Sequence, residues 1–189
     1  MPLLHLLAGP NGAGKSTYVR DVLKPATGLP FINAAEIAAS LWPEAQADHA
    51  YEAAQIAEAR RRERIAHGDS FMSETVFSHP SKVQLVADAV AAGYLVYLHV
   101  VIVPVELTVQ RVIERVRRGG HEVPEQKIRE RYERLWLHVR GAIQIADTAE
   151  VLDNSSARTP FRQCALFGHG AIVGSPDWPR WTPDLLRQS

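Results

Sequence analysis

Residues 9–17 read GPNGAGKST, preceded by the apolar run LLHLLA and followed by a stretch free of further glycine for ten residues. Gly9, Gly14, Lys15 and Ser16 satisfy the spacing G-x-x-x-x-G-K-[ST], a loop that works only between a strand and a helix. The glycines let backbone N–H groups approach an anion, and the helix start adds partial positive charge. Lys15 then reaches the outer phosphates of a nucleotide, and the Ser16 hydroxyl ligates Mg²⁺. On this reading Gly9, Asn11, Gly12, Ala13, Gly14, Lys15, Ser16 and Thr17 form the phosphate cradle. The plain alternative is a tight turn whose lysine is merely exposed, and the strand-to-helix context argues against it.

The rest of the chain supplies that context. Short apolar runs alternate with longer amphipathic ones, the pattern of βαβ units, with no internal repeat. Strands are expected at residues 3–7, 31–33, 71–72, 94–103 and 151–152. The run YLVYLHVVIV is almost wholly apolar, as a central strand covered on both faces requires. Helices are expected at 15–23, 34–41, 47–66, 81–92, 106–118 and 124–146, punctuated by Pro25, Pro43, Gly68, Pro80 and Gly119-Gly120. The expected fold class is therefore α/β, a P-loop NTPase/kinase fold with a mostly parallel sheet of about five strands, helices on both faces and a small lid. Residues 1–189 read as a single domain, with an arginine-rich helix and lid region at 111–135. An irregular C-terminal tail at 159–189 is expected to form an edge hairpin and to dock through Trp178 and Trp181.

Charge and composition narrow the function. Twenty-one basic and 21 acidic residues give a formal net charge of zero, which argues against a nucleic acid or an anionic membrane as partner. The single cysteine, Cys164, has no partner for an internal disulfide, and eight scattered histidines without a second cysteine suggest no zinc site. With no basic leader and no apolar run long enough to span a bilayer, a cytoplasmic location is expected. No N-K-x-D motif for reading guanine is present, and the length leaves little room for the extra domains of a motor. Arg111, Arg115 and Arg118 fall at i, i+4 and i+7 of one helix beside a Gly-Gly hinge. Arginines near a closing loop suit phosphoryl transfer, whose charge spreads over the phosphoryl oxygens. Arg118 and Arg129 are read as functional, whereas Arg111 and Arg134 are read as surface residues paired with neighbouring glutamates.

Five ordered blocks then carry a resemblance: GPNGAGKST, FINAAEIA, FMSETVFSHPSK, the stretch from AGYLVYLHV to KIRERY, and LDNSS. Together, from Leu4 to Ser155, they resemble the zeta-toxin family of P-loop kinases in its compact bacterial branch. The resemblance implies transfer of the γ-phosphate of ATP or GTP, with Mg²⁺, to a hydroxyl of a nucleotide sugar such as UDP-N-acetylglucosamine. It also implies an antitoxin protein as a candidate partner. Lys15 and Ser16 match the phosphate and metal positions, and Arg118 and Asn154 join the nucleotide set. Asn33, Glu74, Thr75, His121 and Arg129 take the substrate side.

One position departs from the pattern. The family places an aspartate, the proposed base, two residues after the asparagine that matches Asn33, and here Ala35 stands there. Three readings follow: Glu36 reaches in through a shifted backbone, Glu74 serves as base or as a metal-linked carboxylate, or the chain is attenuated and only binds nucleotide. Lys15, Glu74, Glu36 and Arg118 are accordingly the catalytic candidates. A nucleotide-binding regulatory module and a polynucleotide or tRNA kinase are the alternative functions. His99, inside an apolar strand, is read as a satisfied core residue.

Overall fold

A computed structural model describes residues 1–117, apart from the side chain at position 115, and residues 124–188. The first strand, β1 (Leu3–Ala8), runs into the glycine loop. The chain then winds through α1 (Lys15–Tyr18), a π-helical turn (Val19–Leu23) and α2 (Lys24–Thr27). Next come β2 (Phe31–Ile32), α3 (Ala34–Leu41), α4 (Ala50–His67) and β3 (Phe71–Glu74). They are followed by α5 (Ser81–Ala91), β4 (Leu95–Ile102), α6 (Val105–Arg117) and α7 (Glu125–Ile145). The C-terminal part holds β5 (Thr148–Asp153), β6 (Arg162–Gly168), β7 (Ala171–Ile172) and α8 (Asp184–Arg187).

The described strands form one sheet in the order β2-β3-β1-β4-β5-β6-β7. The first five are parallel and the last two antiparallel, so the expected five-stranded parallel sheet is present with a hairpin added at one edge. Parallel strands bury both faces, which β1 and β4 show residue by residue. Leu4, Leu6, Val96, Leu98, Val100 and Ile102 enter one apolar layer, packed against α5 and α7, while Leu7 and Val101 enter the other with Tyr18, Val19 and Leu23. Every parallel strand delivers its carboxyl end to the same edge, the place where open α/β sheets bind ligands. The loop after β1, Asn33 after β2, Glu74 at the end of β3 and Asn154 after β5 all stand there.

Several boundaries differ from expectation: the first helical run passes Pro25 and ends at Thr27 rather than residue 23, and β3 reaches Glu74 rather than residue 72. The α4 helix starts at Ala50 rather than residue 47, because residues 47–49 turn so that the His49 ring stacks on Trp42 at 4.5 Å. Strand β5 spans six residues rather than two. The tail, despite its prolines and glycines, contains the seven-residue β6. Trp178 and Trp181 pack on the larger apolar layer. Within the expected arginine-rich helix and lid region at 111–135, residues 118–123, among them Arg118 and His121, lie outside the described residues.

Candidate active site

The glycine loop is shaped by close approach. A Cβ on Gly9 would lie 2.3 Å from the Val101 carbonyl oxygen, and one on Gly14 would lie 2.4 Å from Asn154 Nδ2; both glycines have positive φ. The loop is also clamped from outside. Arg111 in α6 donates to the Gly12 carbonyl at 3.0 Å and to the Asn154 carbonyl at 3.1 Å, and Asn154 Nδ2 donates to the Ala13 carbonyl at 2.8 Å. Arg111, read from sequence as a surface residue, therefore braces the loop. Asn154, expected beside the nucleotide, touches the cradle's backbone, and its neighbours form an Asx turn in which Ser155 N–H donates to Asp153.

Inside the loop Lys15 is 4% exposed and donates to the carbonyls of Gly9 and Pro10 at 3.0 and 2.9 Å. The centre of the site is Glu74. Its Oε2 accepts from the Ser16 hydroxyl at 2.6 Å and from Asn33 Nδ2 at 3.1 Å, and its Oε1 lies 3.7 Å from Lys15 Nζ. A second hydrogen bond holds Asn33 in this orientation, since its Oδ1 accepts from Ala35 N–H at 2.7 Å and so caps α3. Four residues from three segments, legible from sequence only as separate motifs, thus meet at one carboxylate.

These side chains stand at a cleft of about 770 Å³. Asn11, Ser16, Asn33, Glu74 and Thr75 line it; Thr75 N–H donates to the Leu7 carbonyl, which anchors the end of β3 beside the loop. Phe77, fully buried with φ of 59°, holds the following turn in the left-handed region, a conformation non-glycine residues adopt at a cost. That turn presents Val76 and Ser78 to the same cleft. Ala35 also lines the cleft, so the position expected to carry a carboxylate is at the site and carries a methyl group. Glu36 is exposed and is not among the lining residues. Arg129 is likewise outside the lining: it pairs with Glu106 through two 2.8 Å bonds and with Glu125 on its own helix, tying α6 to α7.

Ser16 and Glu74 bring hard oxygen atoms together at the end of β3, a donor pair that suits Mg²⁺, while Asn33 contributes an N–H that holds the carboxylate. Among the described residues no cluster of three or more His, Cys, Asp or Glu side chains is placed to hold a metal without a ligand's help.

On the sheet face beneath α1, a polar row crosses β1, β4 and β5. His5 Nδ1 lies 2.9 Å from His99 Nε2, His99 Nδ1 lies 2.5 Å from Glu150 Oε1, and the Tyr18 hydroxyl donates to the same oxygen at 2.8 Å. His99 is the satisfied core residue the sequence suggests. Burial pushes the His5 ring down to about 4, helped by the neighbouring His99. Burial and Glu150 push the Tyr18 phenol up. For Glu150 burial acts upward, but the bonds from His99 and Tyr18 outweigh it and the carboxyl ends below its ordinary range.

No helix of the described residues is long and apolar enough to cross a membrane. No curated protein sequence matches the chain. Among solved structures, a chain of the AvrRxo1-ORF1:-ORF2 complex with ATP superposes with a TM-score of 0.69 at 16% identity, covering 92% of this chain and 60% of that one. This chain therefore spans about three fifths of that relative. The PezAT chromosomal toxin–antitoxin system of Streptococcus pneumoniae gives 0.63 at 17% identity, covering 86% of this chain and 72% of that one. Shikimate kinase from Acinetobacter baumannii in complex with shikimate gives 0.56 at 17% identity, with 84% and 87% covered. The architecture is that of the P-loop kinases. A family model described as "AAA domain" matches residues 4–135, well over half the sequence and the whole stretch from the glycine loop to α7, and the chain belongs to that family.

Proposed function

We propose that the chain is an ATP- or GTP-dependent small-molecule kinase of zeta-toxin type that phosphorylates a hydroxyl of a nucleotide sugar, with UDP-N-acetylglucosamine the leading candidate. The observation that carries this reading is the convergence of Lys15, Ser16 and Asn33 on Glu74 at the mouth of the cleft. It joins a phosphate cradle to a carboxylate facing space for an acceptor. In the reaction the acceptor oxygen bonds to the γ-phosphorus and the bond to the β–γ bridging oxygen breaks, releasing ADP. The acceptor's proton passes to Glu74. Lys15 turns from its loop carbonyls to the phosphate oxygens, and Asn33 keeps Glu74 in place. Ser16, with Glu74 behind it, would hold Mg²⁺, which neutralises charge on the β and γ phosphates. Arg118 is proposed to add a cation to the phosphates, and His121 and Arg129 to serve the substrate side.

The toxin–antitoxin system and the two-component complex among the structural relatives support an antitoxin-like protein as partner. A second reading is favoured by Ala35: with no carboxylate at that position the chain acts as an attenuated nucleotide-binding module. Positioning and electrostatics carry most of phosphoryl transfer, and base assistance contributes about 10² to 10⁴-fold. ADP release from ATP and Mg²⁺ across a panel of UDP-sugars decides between them. Release that requires a UDP-amino sugar and disappears in Lys15→Ala supports the kinase; nucleotide binding with no acceptor-dependent release supports the module.

A further inference from the structure

The cleft holds a second group of chemistry-bearing residues. In its wall stand Arg61 and Arg62 of α4 and Lys82 of α5, with Glu58 pairing with Arg62 and lying 3.8 Å from Lys82. Arg61 is only 5% exposed. Its Nη1 makes a long 3.4 Å contact to Ser73 Oγ, and its Nε has no hydrogen-bond partner. The helical repeat puts it there: Ala53, Ala57 and Arg61 are the buried residues of α4, spaced at i and i+4, so a guanidinium continues a stripe of small residues facing the sheet.

Such an arrangement is costly without a counter-charge. A buried guanidinium with an unpaired N–H forfeits hydration that nothing replaces, and two like charges beside it add repulsion. Burial pushes the Arg61 guanidinium down, and burial followed by the Arg61 charge pushes the Lys82 ammonium down. An oxyanion relieves both effects, and the planar fork of arginine matches a phosphate or carboxylate. The position is informative as well. Ser73, the contact of Arg61, immediately precedes Glu74 on β3.

We propose that Arg61, Arg62 and Lys82 form an oxyanion subsite for the acceptor, which therefore carries a phosphate or carboxylate group set apart from the hydroxyl presented to Glu74. The inference rests on the kinase reading for the word acceptor, but the subsite itself binds without turnover. The same three cations border a narrower cavity of about 280 Å³ between α4 and α5 that Ile65 and Leu85 help to line. An anion held at this junction leaves room beyond it for a less polar part of the same molecule.

Calorimetric titration tests the subsite with the glycine loop already saturated by a non-hydrolysable ATP analogue and Mg²⁺. Inorganic pyrophosphate and malonate are titrated separately into the wild type, Arg61→Gln and Lys82→Met. At least one anion binds the wild type, and each variant weakens that binding by about tenfold or more while leaving the affinity for the analogue unchanged. Preference for pyrophosphate identifies a phosphate-bearing acceptor, and preference for malonate a carboxylate-bearing one. Lys82, half-buried at the wall, decides the matter if Arg61→Gln does not fold. No binding of either anion, or equal binding by wild type and Lys82→Met, overturns the subsite. Anion binding lost in the variants, together with no acceptor-dependent ADP release, keeps the subsite and removes the kinase reading. Turnover of UDP-N-acetylglucosamine, whose diphosphate would occupy the subsite, that is undiminished in both variants does the reverse.

Discussion

Glu74 links everything proposed for this site, because Ser16 and Asn33 donate to one of its oxygens and Lys15 stands 3.7 Å from the other. Replacing it by Gln preserves shape and removes the charge, and turnover should fall by about 10²-fold or more while nucleotide affinity changes little. Ala35→Asp is the complementary change. It places a carboxylate on the cleft wall beside Asn33, and any kinase rate should rise about tenfold or more, checked by initial rates at saturating acceptor. Arg111 makes a different prediction, since its bonds go to backbone carbonyls, that of Gly12 in the cradle and that of Asn154 after β5. Arg111→Ala removes two charge-assisted bonds and should cost about 1.5–3 kcal/mol in denaturant unfolding, with a raised KM for nucleotide. Lys15 and Ser16 are legible because their motif is contiguous. Arg111 is not, since its partners lie 99 and 43 residues away and its own neighbours suggest surface pairing. Arg61 is hidden in a run of arginines whose spacing from Ala53 and Ala57 is the one local sign of burial.

At the scale of elements, the strands that bury two apolar faces are those a reader of the sequence finds. β4 shows this: its residues fill both layers, and Leu98→Ala, at 1% exposure, should cost about 2–5 kcal/mol in unfolding free energy. β5 is harder to read because Thr148 and Glu150 interrupt its apolar pattern. Glu150 is tolerated there through His99 and Tyr18, which come from sequence positions 51 and 132 residues distant. The π-helical turn after α1 has no local signal either. The loop between β1 and α1 shows how an element constrains a residue: Gly14→Ala, whose Cβ would meet Asn154 at 2.4 Å, should reduce nucleotide affinity more than Gly28→Ala, where the added carbon has nothing within 4 Å. Equilibrium binding of a fluorescent ATP analogue compares the two.

Over the whole molecule, the buried polar row makes stability depend on pH. The His5 ring takes its proton at about 4 in the folded chain and near the ordinary 6.5 when unfolded, so the unfolded state binds more protons between those values. The lowered Glu150 acts in the same direction, its stabilisation lost as pH falls through its folded value. Melting temperature should therefore drop between about pH 6.5 and pH 4. His5→Phe, which keeps an aromatic ring beside Tyr97, should lessen that drop even if its melting temperature is lower throughout. The sheet order that assembles this row also brings the glycine loop, Asn33 and Glu74 to one edge, and that assembly is the basis of the proposed chemistry. Single-turnover transfer from γ-labelled ATP to UDP-N-acetylglucosamine, compared between the wild type, Lys15→Ala and Glu74→Gln, tests it most directly. Label should appear in the sugar nucleotide with the wild type, vanish with Lys15→Ala and slow by about 10²-fold or more with Glu74→Gln. Label transfer at the wild-type rate by Glu74→Gln would contradict the role of that carboxylate, and no labelled product from any enzyme across the UDP-sugars would contradict the kinase itself.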